Sequence, residues 1–292
     1  MASAVIELRQ PSRTIKILKA LRPRSLRQTL LVGSLALGGF LWLFPFIWTL
    51  VTSLEPNSAE LVTPRLIPNQ ITITGYQQLF STIPFARAAI NSIGLGVVST
   101  FLQLLTSSMA AYAFACIAFR GKQFIFLCYL ATLMIPLQVL IVPLFIEMRD
   151  FHLIDTYPAL LAPTIASAFG MFLIRQAMMT VPQELSEAAM IDGAGHLRIF
   201  AKVVLPQVRP ALATFAIFAF MASWNSFLWP LVIVQSSAHF TLPLALAELH
   251  GQFTTEWNVV MAGSVLSILP ILLVYVSVQK YVVQSIATTG LK

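Results

Sequence analysis

Residues 28–54, QTLLVGSLALGGFLWLFPFIWTLVTSL, run for 27 residues without a charge. About 20 apolar residues suffice to cross the ~30 Å of hydrocarbon in a bilayer. Ahead of the run stand Arg9, Arg13, Lys16, Lys19, Arg22, Arg24 and Arg27 against one acid, Glu7. A basic flank before a long apolar run marks a cytoplasmic amino terminus. A cleaved secretory leader has an apolar region of only ~7–15 residues and a small-residue cleavage site. The stretch therefore reads as a retained transmembrane helix.

The rest of the chain agrees. Of 292 residues, 58% are hydrophobic and 10% charged, where soluble domains hold ~45–50% and ~25%. Mean hydropathy is +0.82. So few charges cannot build a water-facing surface, which excludes a soluble enzyme, a disordered chain and a secreted disulfide scaffold. The net charge of +7 would suggest nucleic acid only if spread over one face. It is not so spread, and the expected partner is membrane lipid, with no nucleic acid.

Seven uncharged stretches are readable: 28–54, 66–86, 88–119, 123–146, 156–174, 210–247 and 257–279. The second carries Pro68, Asn69, Gln70, Gln77, Gln78 and Pro84, too much polarity for lipid, and reads as an ordered extramembrane loop. Six spans remain. Threaded from a cytoplasmic amino terminus, they leave fifteen of the eighteen Lys and Arg inside, and only Arg65, Arg87 and Arg149 outside. That bias supports the orientation, and both termini are expected in the cytoplasm. Trp42, Trp48, Trp224, Trp229 and Trp257 fall where interfacial aromatic belts are expected. The thiols Cys116 and Cys128 flank a loop assigned to the cytosol and are expected free.

No catalytic set emerges. The chain carries no HExxH pair, GxSxG or phosphate loop. His152, His196, His239 and His250 are scattered over expected loops, so no metal site is assigned, and Asp150 and Asp155 read as solvated loop surface. No acid lies near an expected bilayer midplane, where ion-driven carriers commonly need one. Gln103, Trp224 and Asn225 have the chemistry to meet a sugar, amides for hydroxyls and an aromatic face for a ring. Each could equally pack or bond between helices.

The informative segment is 181–210, VPQELSEAAMIDGAGHLRIFAKVVLPQVRP. Pro182 suits a helix start, and Glu184 and Glu187 follow where the helix dipole favours acids. Gly193 or Gly195 can end the helix in a left-handed conformation, and a second amphipathic run, 196–205, leads to Pro206. The expectation is a helix–turn–helix hairpin. Loops this long without a role are uncommon.

Glu187-Ala188-Ala189-x-x-x-Gly193, nine residues, then Val203-x-Leu205-Pro206 resembles the EAA signature of ABC importer permeases, with Val203 where the family usually has Ile. Asp192, Gly193 and Ala194 extend the match in the form usual for carbohydrate importers of the maltose-transporter type. Asn91-Ser92, Ala111-Tyr112-Ala113-Phe114, Met134-Ile135-Pro136, Arg175-Gln176 and Trp224-Asn225 with Pro230 add to it. The resemblance implies an all-α integral membrane protein of six transmembrane helices, the type-I importer permease fold, in a prokaryotic inner membrane. Glu187 would meet a cytosolic ATPase by charge, Ala188, Ala189 and Gly193 would allow close seating, and Asp192 would help fix the turn. Implied partners are a second permease, two ATPase copies and an extracytoplasmic solute-binding protein. No cofactor is expected on this chain; ATP and Mg belong to the ATPases. The cargo would be a sugar, an oligosaccharide or a sugar-derived compatible solute. A non-sugar solute, a self-sufficient carrier and a membrane-embedded enzyme are the rivals.

The resulting organisation is a basic tail (1–28), a peripheral first helix (29–53), an extracytoplasmic loop (54–85), a five-helix core (86–284) containing the coupling loop, and a tail (285–292). Residues 279–292 resemble the family's ATPase-facing tail, with Ser285 in place of its usual Gly.

Overall fold

The computed structural model describes residues 26–56, 70–249 and 256–289. Most of the basic tail, the 57–69 part of the expected external loop, His250 and the last three residues lie outside the described residues. Among those described, every regular element is helical. They are α1 (Leu26–Ser53), α2 (Thr74–Thr82), α3 (Phe85–Cys116), α4 (Lys122–Ala131), α5 (Leu137–Asp150), α6 (Tyr157–Leu161) and α7 (Ala168–Met178). There follow α8 (Gln183–Ile191), α9 (His196–Ile199), α10 (Leu205–Gln207), α11 (Arg209–Trp224), α12 (Leu228–Ile233), α13 (Leu242–Ala247) and α14 (Trp257–Thr289). Three helices are long and apolar enough to cross a membrane, namely α1, α3 and the Trp257–Val274 part of α14, or up to six if each of three bent pairs is one span.

Proline places two of the bends. Between Lys122–Met134 and α5 the chain turns by 98°, because Ile135, as the residue before Pro136, is driven out of the helical region to φ −91°, ψ 110°. Between Tyr157–Thr164 and α7 the bend is 48°. Pro163 lies there in a single 3₁₀ turn, and extended Ser167 caps α7 by accepting from the Gly170 N–H at 3.0 Å. Pro45 stays inside a continuous α1, its carbonyl taken up by the Thr49 hydroxyl at 2.8 Å.

An open backbone in lipid must find partners from neighbouring elements, and α3 supplies them. Ser99 Oγ donates to Thr164 Oγ1 (3.1 Å), Thr106 Oγ1 to the Ile165 carbonyl (2.7 Å) and Ser107 Oγ to the Ser167 carbonyl (3.2 Å). Helix α3 is the hub, packed on α7 and α11. Close approach depends on two glycines: a Cβ at Gly170 would collide with the Phe215 ring, and one at Gly96 would come within 2.8 Å of Phe220. Helix α1 packs along α14 and is otherwise exposed. It is held at its end, where Ser53 Oγ meets Tyr76 Oη at 2.8 Å and the Leu54 carbonyl accepts from the Thr72 N–H at 2.7 Å.

Several expectations change. The apolar run 210–247 is not one span: its helix stops at Trp224, and α12 and α13 fold back as separate short helices. Trp224 and Trp229 are not belt residues. Both are buried, and Trp229 Nε1 donates to the Ala159 carbonyl at 3.0 Å, as a buried indole must. Trp42 and Trp257 stay exposed. The ordered stretch before α3 contains helix α2, with Leu79 fully buried, and α14 continues through Ser285 to Thr289.

Candidate functional site

The hairpin 181–210 forms as its residues dictate. Pro182 precedes α8 in an extended conformation, and Glu184 sits in the first turn. At the far end Asp192 closes the helix and Gly193 takes φ +79°. The Gly193 N–H then reaches the Met190 carbonyl and the Ala194 N–H the Ala189 carbonyl, both at 2.9 Å. This is the paired closure of a Schellman turn, which wants glycine at the left-handed position. Ala189 and Ala194, which make the longer closure, both pack on the core cluster of Ile199, Val204 and Phe215. Residues 200–204 then widen into a π turn ahead of Pro206, whose ring would otherwise press on the Lys202 carbonyl. His196, which opens α9 rather than lying in a loop, is within 3.3 Å of Tyr112 Oη through Nδ1.

The outer face is left uncovered. Ile191 is 87% and Leu197 76% exposed, far from the usual fate of large apolar side chains. Glu184, Glu187, Ala188 and Asp192 share this exposure, and among the described residues Glu187 has no ion-pair partner. Of the expected seating residues, Ala188 faces out while Ala189 turns inward to hold the hairpin on the bundle. Basic groups at the same end are used structurally. Arg175 donates Nε to the Phe114 carbonyl at 3.0 Å and lies 4.1 Å over the Phe126 ring, and Lys122 donates to the Ala115 and Ile117 carbonyls where α3 ends.

The three expected path residues are not brought together. Gln103 lines a cavity of about 270 Å³ between α3, the break at 161–167 and the turn after α11. Trp224 and Asn225 line a separate one of about 260 Å³ against α13 and α14. Trp224 stacks on Phe220 with ring centres 5.9 Å apart. Asn225 ends α11 and donates its Nδ2 to the Met221 carbonyl at 2.8 Å, one bond made within its own helix.

At the other end lies a polar knot that sequence reading missed. Asp155, with φ +58°, accepts from the Gln235 N–H (3.1 Å), the Ser236 N–H (3.2 Å) and His239 Nδ1 (3.2 Å). Tyr157 Oη donates to Asn91 Oδ1 at 2.9 Å, and Asn91 Nδ2 donates to the Ala238 and Phe240 carbonyls at 3.0 Å each. Desolvation raises the Asp155 pKa, but the donors from Ser236, Gln235 and His239 outweigh it and hold the carboxyl at about 2. A depressed carboxyl contributes stability above its unfolded pKa near 3.8 and loses it as pH falls toward 2. About a quarter of the side chain is exposed, so screening trims the contribution to ~1–2 kcal/mol. Asp155→Asn should lower the thermal midpoint of the purified protein at pH 7, with the gap to wild type closing below pH 4. An equal gap at pH 7 and pH 3 would show that the charge is not the cause.

Among the described residues no group of His, Cys, Asp or Glu could hold a metal ion. Residues 103–288 match the family model described as binding-protein-dependent transport system inner membrane component. The chain is 35% identical over 267 residues to the arabinooligosaccharides transport system permease protein AraQ of Halalkalibacterium halodurans, covering 90% of this chain and 96% of that one. It is 34% identical over 250 residues to the lactose transport system permease protein LacG of Rhizobium radiobacter, covering 86% and 91%. A chain in the crystal structure of a bacterial ABC transporter involved in the import of the acidic polysaccharide alginate superposes with a TM-score of 0.77 at 25% identity, covering 93% and 98%. Such permeases carry no ATPase site of their own. Multi-pass, all-helical and matched nearly end to end, the chain belongs to the inner-membrane permease components of binding-protein-dependent ABC importers.

Proposed function

We propose that this chain is one of two permeases in an ATP-driven importer for a sugar, an oligosaccharide or a sugar-derived compatible solute. The observation that carries the coupling half of this reading is the outer face of the hairpin. A hydrogen-bonded turn separates exposed Ile191 from exposed Leu197, and Glu187, exposed one helical turn before Ile191, has no ion-pair partner among the described residues, which suits an apolar cleft with a basic rim on a cytosolic ATPase. The saccharide half is supported by the relatives, whose names cite arabinooligosaccharides and lactose, and by the alginate importer. In this reading 86–284 form the core, 29–53 a peripheral helix and 54–85 an external loop, with 1–28 and 285–292 cytoplasmic. ATP and Mg bind the two ATPase copies, and an external binding protein delivers the cargo.

The test is reconstitution of the whole importer in liposomes. ATP-dependent uptake of lactose or arabinotriose is expected only with the binding protein and the ATPase present, and uptake by this chain alone would favour a self-sufficient carrier. A reporter inserted within 190–200 should behave as cytosolic and one within 240–255 as external. An external 190–200 segment would sink the docking scheme.

A further inference from the structure

The saccharide reading leaves the charge of the cargo open, and the cavity beside Gln103 bears on it. Its lining contains no Asp, Glu, Lys, Arg or His. Its volume of about 270 Å³ is many times the ~10–15 Å³ that admits one water, space for a sugar ring. Leu95, Leu137, Leu160 and Pro163 supply apolar walls for the C–H faces of such a ring.

The polar groups divide into those already used and those left over. The hydroxyls of Ser92 and Ser167 accept from the Leu242 and Gly170 N–H groups, and Thr164 is bonded to Ser99 and to the Leu161 carbonyl. Gln103 donates Nε2 to Ser99 Oγ at 2.9 Å, which continues the chain into the wall and leaves its carbonyl Oε1 without a partner among the described residues. The Ser223 and Ser226 hydroxyls are likewise unbonded and half-buried.

Thr241 is the most telling. It stands at the amino end of α13, where a threonine hydroxyl ordinarily caps the helix, yet it makes no cap bond, and its Oγ1 is buried without a partner among the described residues. An unmade bond of this kind carries a desolvation cost. A rotation that brings the hydroxyl to the cavity therefore breaks no hydrogen bond.

We propose that this chain carries a subsite for one unit of an uncharged saccharide, read through Gln103 Oε1 and the Ser223, Ser226 and Thr241 hydroxyls. The proposal rests on the saccharide-importer reading and narrows its substrate class. Hydroxyls and amides compensate sugar O–H groups lost to water, whereas a carboxylate or sulfonate entering this cavity meets no cation. Ionised groups moved out of water without a counter-charge are costly far beyond a hydroxyl.

Titration of the assembled permease–ATPase complex in nanodiscs, with the binding protein left out, tests the subsite. Lactose and arabinotriose are expected to bind, and trigalacturonate at least about tenfold more weakly. Gln103→Leu and Thr241→Val should each weaken lactose binding about fivefold, the effect of one lost hydrogen bond. Thr241→Val also removes an unpaired buried hydroxyl, so its thermal midpoint should match or exceed that of wild type, where a packing role would lower it. Trigalacturonate binding as tightly as lactose, no binding by any of the three, or unchanged binding by both variants would overturn the proposal. Saccharide uptake with the binding protein restored is read separately, and its absence would instead defeat the importer reading.

Discussion

Gly193→Val is expected to cut ATP-driven uptake at least about tenfold, the equivalent of ~1.4 kcal/mol, in a permease that still inserts and pairs. No atom lies within 4 Å of a Cβ built at this glycine, so the harm is not a clash. It comes from φ +79°, a region that costs an L-residue ~1–2 kcal/mol and a β-branched one more. Relief requires opening the turn, which breaks the two closures at 2.9 Å and displaces exposed Leu197 beyond it. Gly193→Asn, which tolerates the left-handed region, should keep most of the activity. Glu187→Ala acts on the same surface without touching the fold, since the carboxylate is exposed and unpaired. It should weaken ATPase recovery by ~1 kcal/mol if the contact is at a rim and by several if it is buried. Wild-type uptake and ATPase recovery in both Gly193→Val and Glu187→Ala would refute the docking role.

Gly170→Ala should be the most damaging small change inside the bundle, at ~3 kcal/mol, the upper part of the range for overpacking. The new methyl would lie in the ring of Phe215, which is 1% exposed and has no room to retreat among Met171, Ile174 and Val204. Recovery of folded protein in detergent and its thermal midpoint are the readouts. Phe215→Leu in the same chain should restore part of the loss by vacating that volume. A double variant no better than the single would place the damage elsewhere.

The spans were legible wherever charge bounds them. Arg27 and Glu55 bound the uncharged run that makes up most of α1, and Arg120 follows α3. The hairpin was legible because its signals are local: Pro182, early acids and a glycine eight residues on from the first helical turn's Leu185. Bends were not, since Pro45, Pro136, Pro143 and Pro163 look alike in a sequence. Whether a helix continues through proline depends on whether the carbonyl four residues earlier, which loses its N–H partner, is satisfied by neighbouring groups. The stop at Trp224 inside an apolar run was hidden for a related reason, because α12 and α13 are apolar enough to read as the same span. Asp155 was misread as solvated because its partners stand some eighty residues away, and no local pattern announces a loop-to-loop clasp.

The serines and threonines of α3 that meet the broken backbone of 161–167 have a mechanical meaning. Three side-chain bonds, at 3.1, 2.7 and 3.2 Å, join a straight helix to the kink in its neighbour. Sliding one element along the other by a single residue would break all three at once. Helix α3 and the segment 157–178 therefore travel as one stiff lever, and any alternation between inward- and outward-facing shapes has to hinge at the seams around that lever rather than at the kink within it.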